Sequence, residues 1–405
     1  MKKRILALLL TGAMVFGLAA CSSGSGEESP AGTGSGETAP AETESAQTVK
    51  VGMVCIGDEN DQGYTYNIMR GVSEATEMLA EKGINVEWVT KYNVPENAEC
   101  EDANIELADE GCEIIINSSF GFEDFMLKVA ADYPDITFIS LTNLQSSTSE
   151  LENVHNAFAD IYEGRYLSGV VGGMKLQEMI DNGEITPEQA VIGYVGAFPY
   201  AEVISGYTAF YLGAKSVCPS VTMKVKYVNS WSAPTDEANA AQALCDEGCL
   251  LISQHSDNTT PATAAQSAGA FSCGYNNDMI SVAPEASLIS TRIDWGVYFT
   301  YAIETLVNGE ELPKDWTAGM AEGAVVMTEL NEDIAAAGTA EKLAEVEAGI
   351  IDGSIHPFAG PWTGVSSTGD TLEMAEGEWF EESDVDGGKT SAPYFTWIIE
   401  GITEE

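Results

Sequence analysis

Between residues 51 and 293, short apolar runs alternate with stretches whose apolar residues recur at helical spacing. That rhythm constrains the fold more than any other feature of the chain. The runs expected as strands are 50–56, 85–89, 113–118, 137–141, 191–195, 221–228, 250–254, 271–274 and 288–293. Helical spacing falls at 66–82, 98–110, 122–131, 161–174, 201–215, 234–246, 259–268 and 295–307. Strands of this kind, each followed by a helix, belong to parallel sheets covered on both faces. A break near Asn156 separates two such groups, so the chain is expected to be α/β, with two doubly wound lobes. Ligands in such sheets sit beyond the carboxyl ends of the strands, and the loops there carry the candidate chemistry.

The start of the chain bears on the compartment. Lys2, Lys3 and Arg4 precede an apolar run over 5–18 that is too short for a comfortable membrane span. It ends in Leu18-Ala19-Ala20-Cys21, which matches the bacterial lipobox, so residues 1–20 are expected to be a signal peptide and Cys21 the lipidated end. A plain secretory signal or short anchor is the alternative. Residues 21–47 contain no aromatic residue and read as a flexible tether. The mature body is then held to the cell membrane, on its extracytoplasmic face, through the N-terminal lipid alone. About 355 residues remain, too many for one ordinary core and enough for two lobes. The net charge of −47 argues against nucleic acid and anionic membrane surfaces as partners. After Cys21 the cysteine count is odd, against a full disulfide framework; one bridge, Cys245 to Cys249 or Cys100 to Cys112, stays open.

Metal and catalytic readings of the loops are weak. "DENDQG" from Asp58 lacks the acid that closes a calcium loop, since Met69 stands at the twelfth position. The run from Glu382 meets Pro393 there. His255-Ser256-Asp257 holds triad residue types side by side, but neighbours on an extended segment point apart. No nucleophile elbow or P-loop occurs. No metal, cofactor or catalytic residue is therefore assigned. What recurs is an aromatic beside amides or hydroxyls after each strand: Tyr64 and Tyr66 with Asn60, Phe120 and Phe122 with Ser119, Trp231 with Asn229, Trp295 with Asp294. Phe122 and Phe198 are expected to pack into their own lobes. The others suit a flat heteroaromatic ligand, which needs π-faces to hold it and polar groups to read its edge.

Several stretches together resemble the basic membrane protein family, the purine-nucleoside-receptor-like lipoproteins of ABC importers. They include "NDQGYTYN", "NSSFGFED", "YEGRYLSGVVGG", "IGYVGAFPYAEVISGYTAFYLGAKSVCP", "VNSWSAPTDEANAAQAL" and "SQHSDNTTPATAAQSAGAFSCGYNNDM". The resemblance implies two Rossmann-like lobes of the periplasmic-binding-protein type I, joined by a three-stranded hinge, with a ligand clamped between them. The first lobe would hold 48–157 with 293–312, the second 158–292 with 313–350, and 351–405 would be a C-terminal extension. The family's loop aromatic falls on Tyr64, with Asn60 and Asp61 ahead of it, and its second stacking aromatic on Trp231. Phe120 would line the pocket. Asp61 would either cap a helix or touch ligand, and Asp257 would border the pocket.

Two departures bear on the ligand. Where a nucleoside receptor has an aspartate for the ribose, this chain has Asn276, with Asp278 two residues on. Where a lysine is expected, it has Asp294 followed by Trp295. The resemblance implies capture of a purine base or nucleoside, without bond-making, by a monomer that delivers it to ABC permease subunits. Alternatives are a sensory receptor, a sugar or autoinducer binder, and an extracytoplasmic nucleoside hydrolase.

Overall fold

A computed structural model describes residues 47–141, 143–385 and 387–405. Residues 21–46 of the expected tether, Cys21 among them, lie outside the described residues, and Gln47, its last residue, opens the first strand. Within the compact unit Ala46–Glu405 two mixed α/β lobes are built on separate sheets.

The first sheet begins with β1 (Gln47–Val54), α1 (Tyr64–Glu81), β2 (Ile84–Lys91), α2 (Ala98–Asp109) and β3 (Ile114–Asn117). It continues through α3 (Glu123–Asp132), β4 (Thr137–Leu141), α4 (Leu144–Thr148) and β5 (Val154–Ala157). The second lobe runs α5 (Tyr162–Asp181), β6 (Val191–Gly196), α6 (Ala201–Val217), β7 (Thr222–Tyr227), α7 (Pro234–Asp246), β8 (Leu251–His255), α8 (Thr260–Ala268), β9 (Phe271–Tyr275) and β10 (Ser287–Ile293). The chain then returns as α9 (Trp295–Val307), β11 (Asp315–Trp316), β12 (Val325–Met327) and α10 (Thr339–Ile351). It closes with β13 (Trp362–Ser366), β14 (Thr371–Met374), β15 (Trp397–Ile399) and β16 (Ile402–Glu404).

The first sheet has the order β11-β5-β4-β3-β1-β2, and its strands pair in parallel. The second has the order β12-β10-β9-β8-β6-β7-β16, parallel except at β12. Central strands are buried on both faces, β3 along its whole length, while edge strand β2 is mostly half-exposed. That contrast explains why the central strands read as continuous apolar runs.

Three segments carry the chain between the lobes: β5 to α5, β10 to α9, and β11 to β12. They are tied together by backbone bonds, Phe158 N–H to the Trp316 carbonyl at 3.1 Å and Asp160 N–H to the Ala318 carbonyl at 3.0 Å. Asp294 N–H reaches the Ala324 carbonyl at 2.8 Å. Helix α9 packs into the first lobe's core through Trp295, Phe299 and Ile303. β11 adds to the edge of the first sheet beside β5, although the pattern past residue 313 was expected in the second lobe. Two residues are too short a strand to leave a periodic signal.

In the segment past residue 351, expected as a C-terminal extension, β14-β13-β15 form an antiparallel sheet and β16 covers the β7 edge in parallel. Phe358, Trp362 and Phe395 join the second lobe's core. Ser391 reaches the first sheet, donating to Asp315 at 2.6 Å and accepting from the Asn156 amide at 2.9 Å. The seven described cysteines are all free, so neither candidate bridge forms.

Candidate functional site

Each sheet changes winding direction between its first strand and the third, at β1/β3 and at β6/β8. The loops leaving these four strands, with that after β7, meet between the lobes. They line an inner pocket, open on one side, with about 370 Å³ of empty space counting its open mouth, bordered by Ile56, Tyr64, Ser118, Ser119, Phe120, Glu202, Trp231, His255, Asp257 and Tyr275. An outer space of about 1210 Å³ adjoins it, with Asn60, Asp61, Glu96, Phe198, Asn229 and Trp231 in its wall.

The loop after β1 is ordered by its own carboxylates. Asp61 accepts from the backbone N–H groups of Gly63 at 2.8 Å, Tyr66 at 2.9 Å and Thr65 at 3.1 Å. It thereby covers the donors at the start of α1. That is why the helix begins at Tyr64, two residues ahead of the apolar pattern. Burial pushes the Asp61 carboxyl up from its ordinary value, and these N–H groups oppose the shift. Asp61 is a capping residue, and Asn60 beside it stays exposed at the mouth of the outer space. Gly63 packs against the Asp257 backbone of the other lobe so closely that a Cβ would collide with it.

From β3 come Ser118, Ser119 and Phe120. Asn117 is locked behind them by reciprocal amide bonds with Asn104 at 2.8 and 2.9 Å. Ser119 donates to Glu96 at 2.7 Å, and the Gly121 N–H takes the same oxygen at 2.7 Å. Phe120 is left to reach across, stacking on Tyr200 of the second lobe at 4.8 Å. Tyr200 stacks in turn on Phe198 at 5.0 Å, and Phe198 meets Trp231 edge-on at 5.1 Å. Phe122 is buried in its own lobe as expected. Phe198 is not: it belongs to this aromatic wall, because α6 starts only at Ala201 and leaves it in the loop.

The second lobe brings the charged groups. The Asp257 N–H donates to the Trp231 carbonyl at 2.9 Å, which couples the loops after β7 and β8. The Asp257 carboxylate accepts from the Tyr64 N–H across the cleft, and the Asn276 amide lies 3.4 Å from it. Burial, with Asp61, Glu237 and Glu202 nearby, pushes the Asp257 carboxyl well above its ordinary value. His255 lies 3.1 Å from Glu202 through Nε2 and is held neutral by burial, with Arg165 adding to the downward shift. Arg165 stands over the Tyr275 ring at 3.6 Å and donates to the Gln254 carbonyl at 2.8 Å, anchoring the end of β8. Among the described residues, four other than glycine have positive φ: Gln62, Asn93, Asn229 and Asn276. All stand in loops beyond strand ends, where strained backbone collects at binding sites.

The structure thus brings Tyr64, Phe120, Trp231 and Asp257 into one cavity, with Asn60 and Asp61 at its mouth. Four expected residues do not line it. Asn276 is fully buried behind Asp257. Asp278 faces a separate depression with Glu329 and Asp333 and accepts from the Ile280 N–H. Asp294 caps α9 through the Gly296 N–H at 3.2 Å and faces Arg292 at 3.4 Å. Trp295 is fully buried against Phe158, Phe299 and the edge of Tyr64. As the first residue of a core helix, it is turned inward. Glu202, Tyr275 and Ser118 were not singled out from sequence, while Ser119 was marked beside Phe120. Glu202 had one signal, an acid in the first turn of the helix that follows "GAFPY".

Residues 48–358 match the family described as ABC transporter substrate-binding protein PnrA-like. The chain belongs to this family. A purine-binding protein of Brucella abortus is 35% identical over 317 residues, which cover 77% of this chain and 84% of that protein. A Haloferax volcanii protein described as an ABC transporter glucose-binding protein is 34% identical over 248 residues, 61% of this chain and 59% of that one. In fold, the PnrA-like chain is similar to solute-binding proteins of ABC transporter systems. That of Aeropyrum pernix gives a TM-score of 0.62 at 17% identity, over 77% of this chain and 94% of that one. That of Conexibacter woesei gives 0.57 at 18%, over 76% and 98%. Family and fold together make the protein a substrate-binding component of an ABC transporter, of type I two-lobed architecture, and such components work outside the cytoplasm. Among the described residues no helix is long and apolar enough to cross a membrane.

Proposed function

We propose that the cleft captures a purine ring between Tyr64 of the first lobe and Trp231 of the second, and passes it unaltered to a membrane permease. The observation that carries this reading is the shared cavity, walled by aromatic residues from both lobes and edged by Ser119, Glu202 and Asp257. Two π-faces and a few polar groups are what a planar heterocycle needs. The Brucella relative's purine binding supports the same ligand class. Asn276 and Asp294, the positions corresponding to sugar contacts in nucleoside receptors, stay out of the cavity, and this favours a free base over a nucleoside.

Binding works by closure. Ligand settles on one lobe, rotation about the three crossover segments brings the other over it, and the ligand's preference for the closed form drives the change. The protein acts as a monomer, without cofactor or catalysis, tethered to the membrane by lipid on Cys21. A thermal-shift and calorimetric panel of purine bases, nucleosides, glucose and other sugars tests the ligand class: a purine base should give the largest stabilisation. Preference for a sugar would overturn the assignment. Release of free base from inosine would restore the hydrolase reading. Cys21→Ser should release the protein from the membrane fraction.

A further inference from the structure

The described residues lining the inner and outer spaces include Asp58, Asp61, Glu96, Glu202 and Asp257 but no lysine or arginine. Four of these acids are engaged by the chain's own donors. Asp58 accepts from the Asn60 N–H at 2.9 Å, and Asp61 caps α1. Glu96 holds Ser119 and Gly121, and Asp257 takes the Tyr64 N–H. Glu202 differs. Its Oε1 meets only His255 Nε2, at 3.1 Å, and among the described residues nothing donates to its Oε2.

His255 fixes where that oxygen stands. The ring is wedged between Tyr275, whose centroid is 5.0 Å away, and α6, where Gly206 leaves room for Nδ1. A Cβ at Gly206 would come within 3.1 Å of Nδ1. With Nε2 donating to Oε1, one carboxylate oxygen is held at His255, and Oε2 remains as an acceptor where Glu202 lines the cavity. A carboxylate accepts and cannot donate. A ligand edge that sets an oxygen against it leaves two acceptors facing each other away from water, and such mismatches discriminate strongly.

We propose that Glu202, positioned by His255, selects amino-substituted purines over oxo-purines of the same size by accepting from an exocyclic amino group. This rests on the purine reading above. The same lining disfavours anions, so ring systems that ionise and phosphorylated nucleosides are poor ligands.

Calorimetry with two matched pairs tests the proposal: adenine against hypoxanthine, and guanine against xanthine. The wild-type protein should prefer the amino member by roughly tenfold or more in at least one pair, as expected when a site's buried acceptor is left unpaired. Glu202→Gln, whose amide offers both a donor and an acceptor, should bring the ratio to within about threefold. Glu202→Asp keeps the charge but withdraws the oxygen, so it should also reduce the ratio; it serves if the glutamine variant does not fold. Equal or better binding of the oxo members by the wild type, or a ratio unchanged in a folded variant, would overturn the proposal while leaving the purine reading intact. Failure of all four bases to bind the wild type would defeat both.

Discussion

The first lobe arranges its strands as β2-β1-β3-β4-β5 and the second as β7-β6-β8-β9-β10, the same winding repeated. Their contributions to the cleft are nonetheless unlike. First-lobe acids are used locally: Asp61 is spent on α1 and Glu96 on Ser119. That lobe therefore offers the ligand Tyr64, Phe120 and two serines. The second lobe turns its acids outward, with Asp257 reaching the start of α1 and Glu202 set on the cavity wall. Shared topology decides where a ligand sits, and the strand-end loops decide what it meets. The edges differ as well. In the second sheet β16 covers β7, while β2 stays an open edge, half-exposed and carrying Glu87 and Lys91. Charge on an edge strand discourages pairing with another chain.

The largest expected effect comes from breaking the seam between the lobes. Gly63→Ala sets a methyl group against the Asp257 backbone, and overpacking of this kind costs about 1–3 kcal/mol. Because the clash exists only when the lobes meet, the loss should fall on ligand affinity at the upper end of that range, with thermal stability of the ligand-free protein little changed. Small-angle scattering with and without ligand should show compaction in the wild type and none in the variant. Equal compaction in both would refute a closure that depends on this contact.

Next in size is Trp231→Ala, which removes the second lobe's π-face. Purine affinity should weaken by roughly 1–3 kcal/mol, the range seen for base stacking on aromatic residues. Calorimetry showing unchanged affinity in a folded variant rules out the sandwich. Phe120→Ala tests the first lobe's half of the comparison. It deletes the cross-lobe stack on Tyr200, and aromatic pairs contribute about 0.5–1.5 kcal/mol beyond their burial. Its effect on affinity should be smaller than that of Trp231→Ala; a larger loss would reverse the ranking of the two lobes.

The last effect falls on stability and leaves the affinity ranking aside; it concerns the hinge and the C-terminal extension that leans on it. Asp160 in the first crossover accepts from Thr317 at 3.1 Å and from Ser383 of the extension. Burial pushes its carboxyl up to about 6, and those of Glu163 and Glu382 to about 8. The folded protein thus keeps protons that the unfolded chain releases in the ordinary carboxylate range. This contribution to stability is complete below that range and is lost as pH rises toward about 8. The Tm should fall between about pH 5 and pH 8, and Glu382→Gln should make the fall shallower. A wild-type Tm that is flat over this interval would contradict the assignment.

Much of the fold was legible in the sequence because burial on both faces of a parallel strand, and on one stripe of a helix, leaves a periodic local trace. Nine strands and eight helices were expected where the structure has them, and the loops past strand ends were marked as the place of binding. Short edge elements such as β11 and β12 left no such trace, being held by partners far along the chain. The site was only partly legible. Trp231 and Trp295 look alike in sequence, each beside polar residues after a strand, but one stands in an open loop and the other starts a helix packed into the core. Glu202 and His255 are 53 residues apart and meet because β6 and β8 lie side by side, which brings the start of α6 over the end of β8. The sequence by itself determined the nine strands and eight helices that carry a periodic trace, and therefore the end of each sheet at which a ligand can bind. Tertiary structure alone decided which strand-end side chains share one cavity, because those distances depend on crossovers and on register between strands that are not neighbours in the chain.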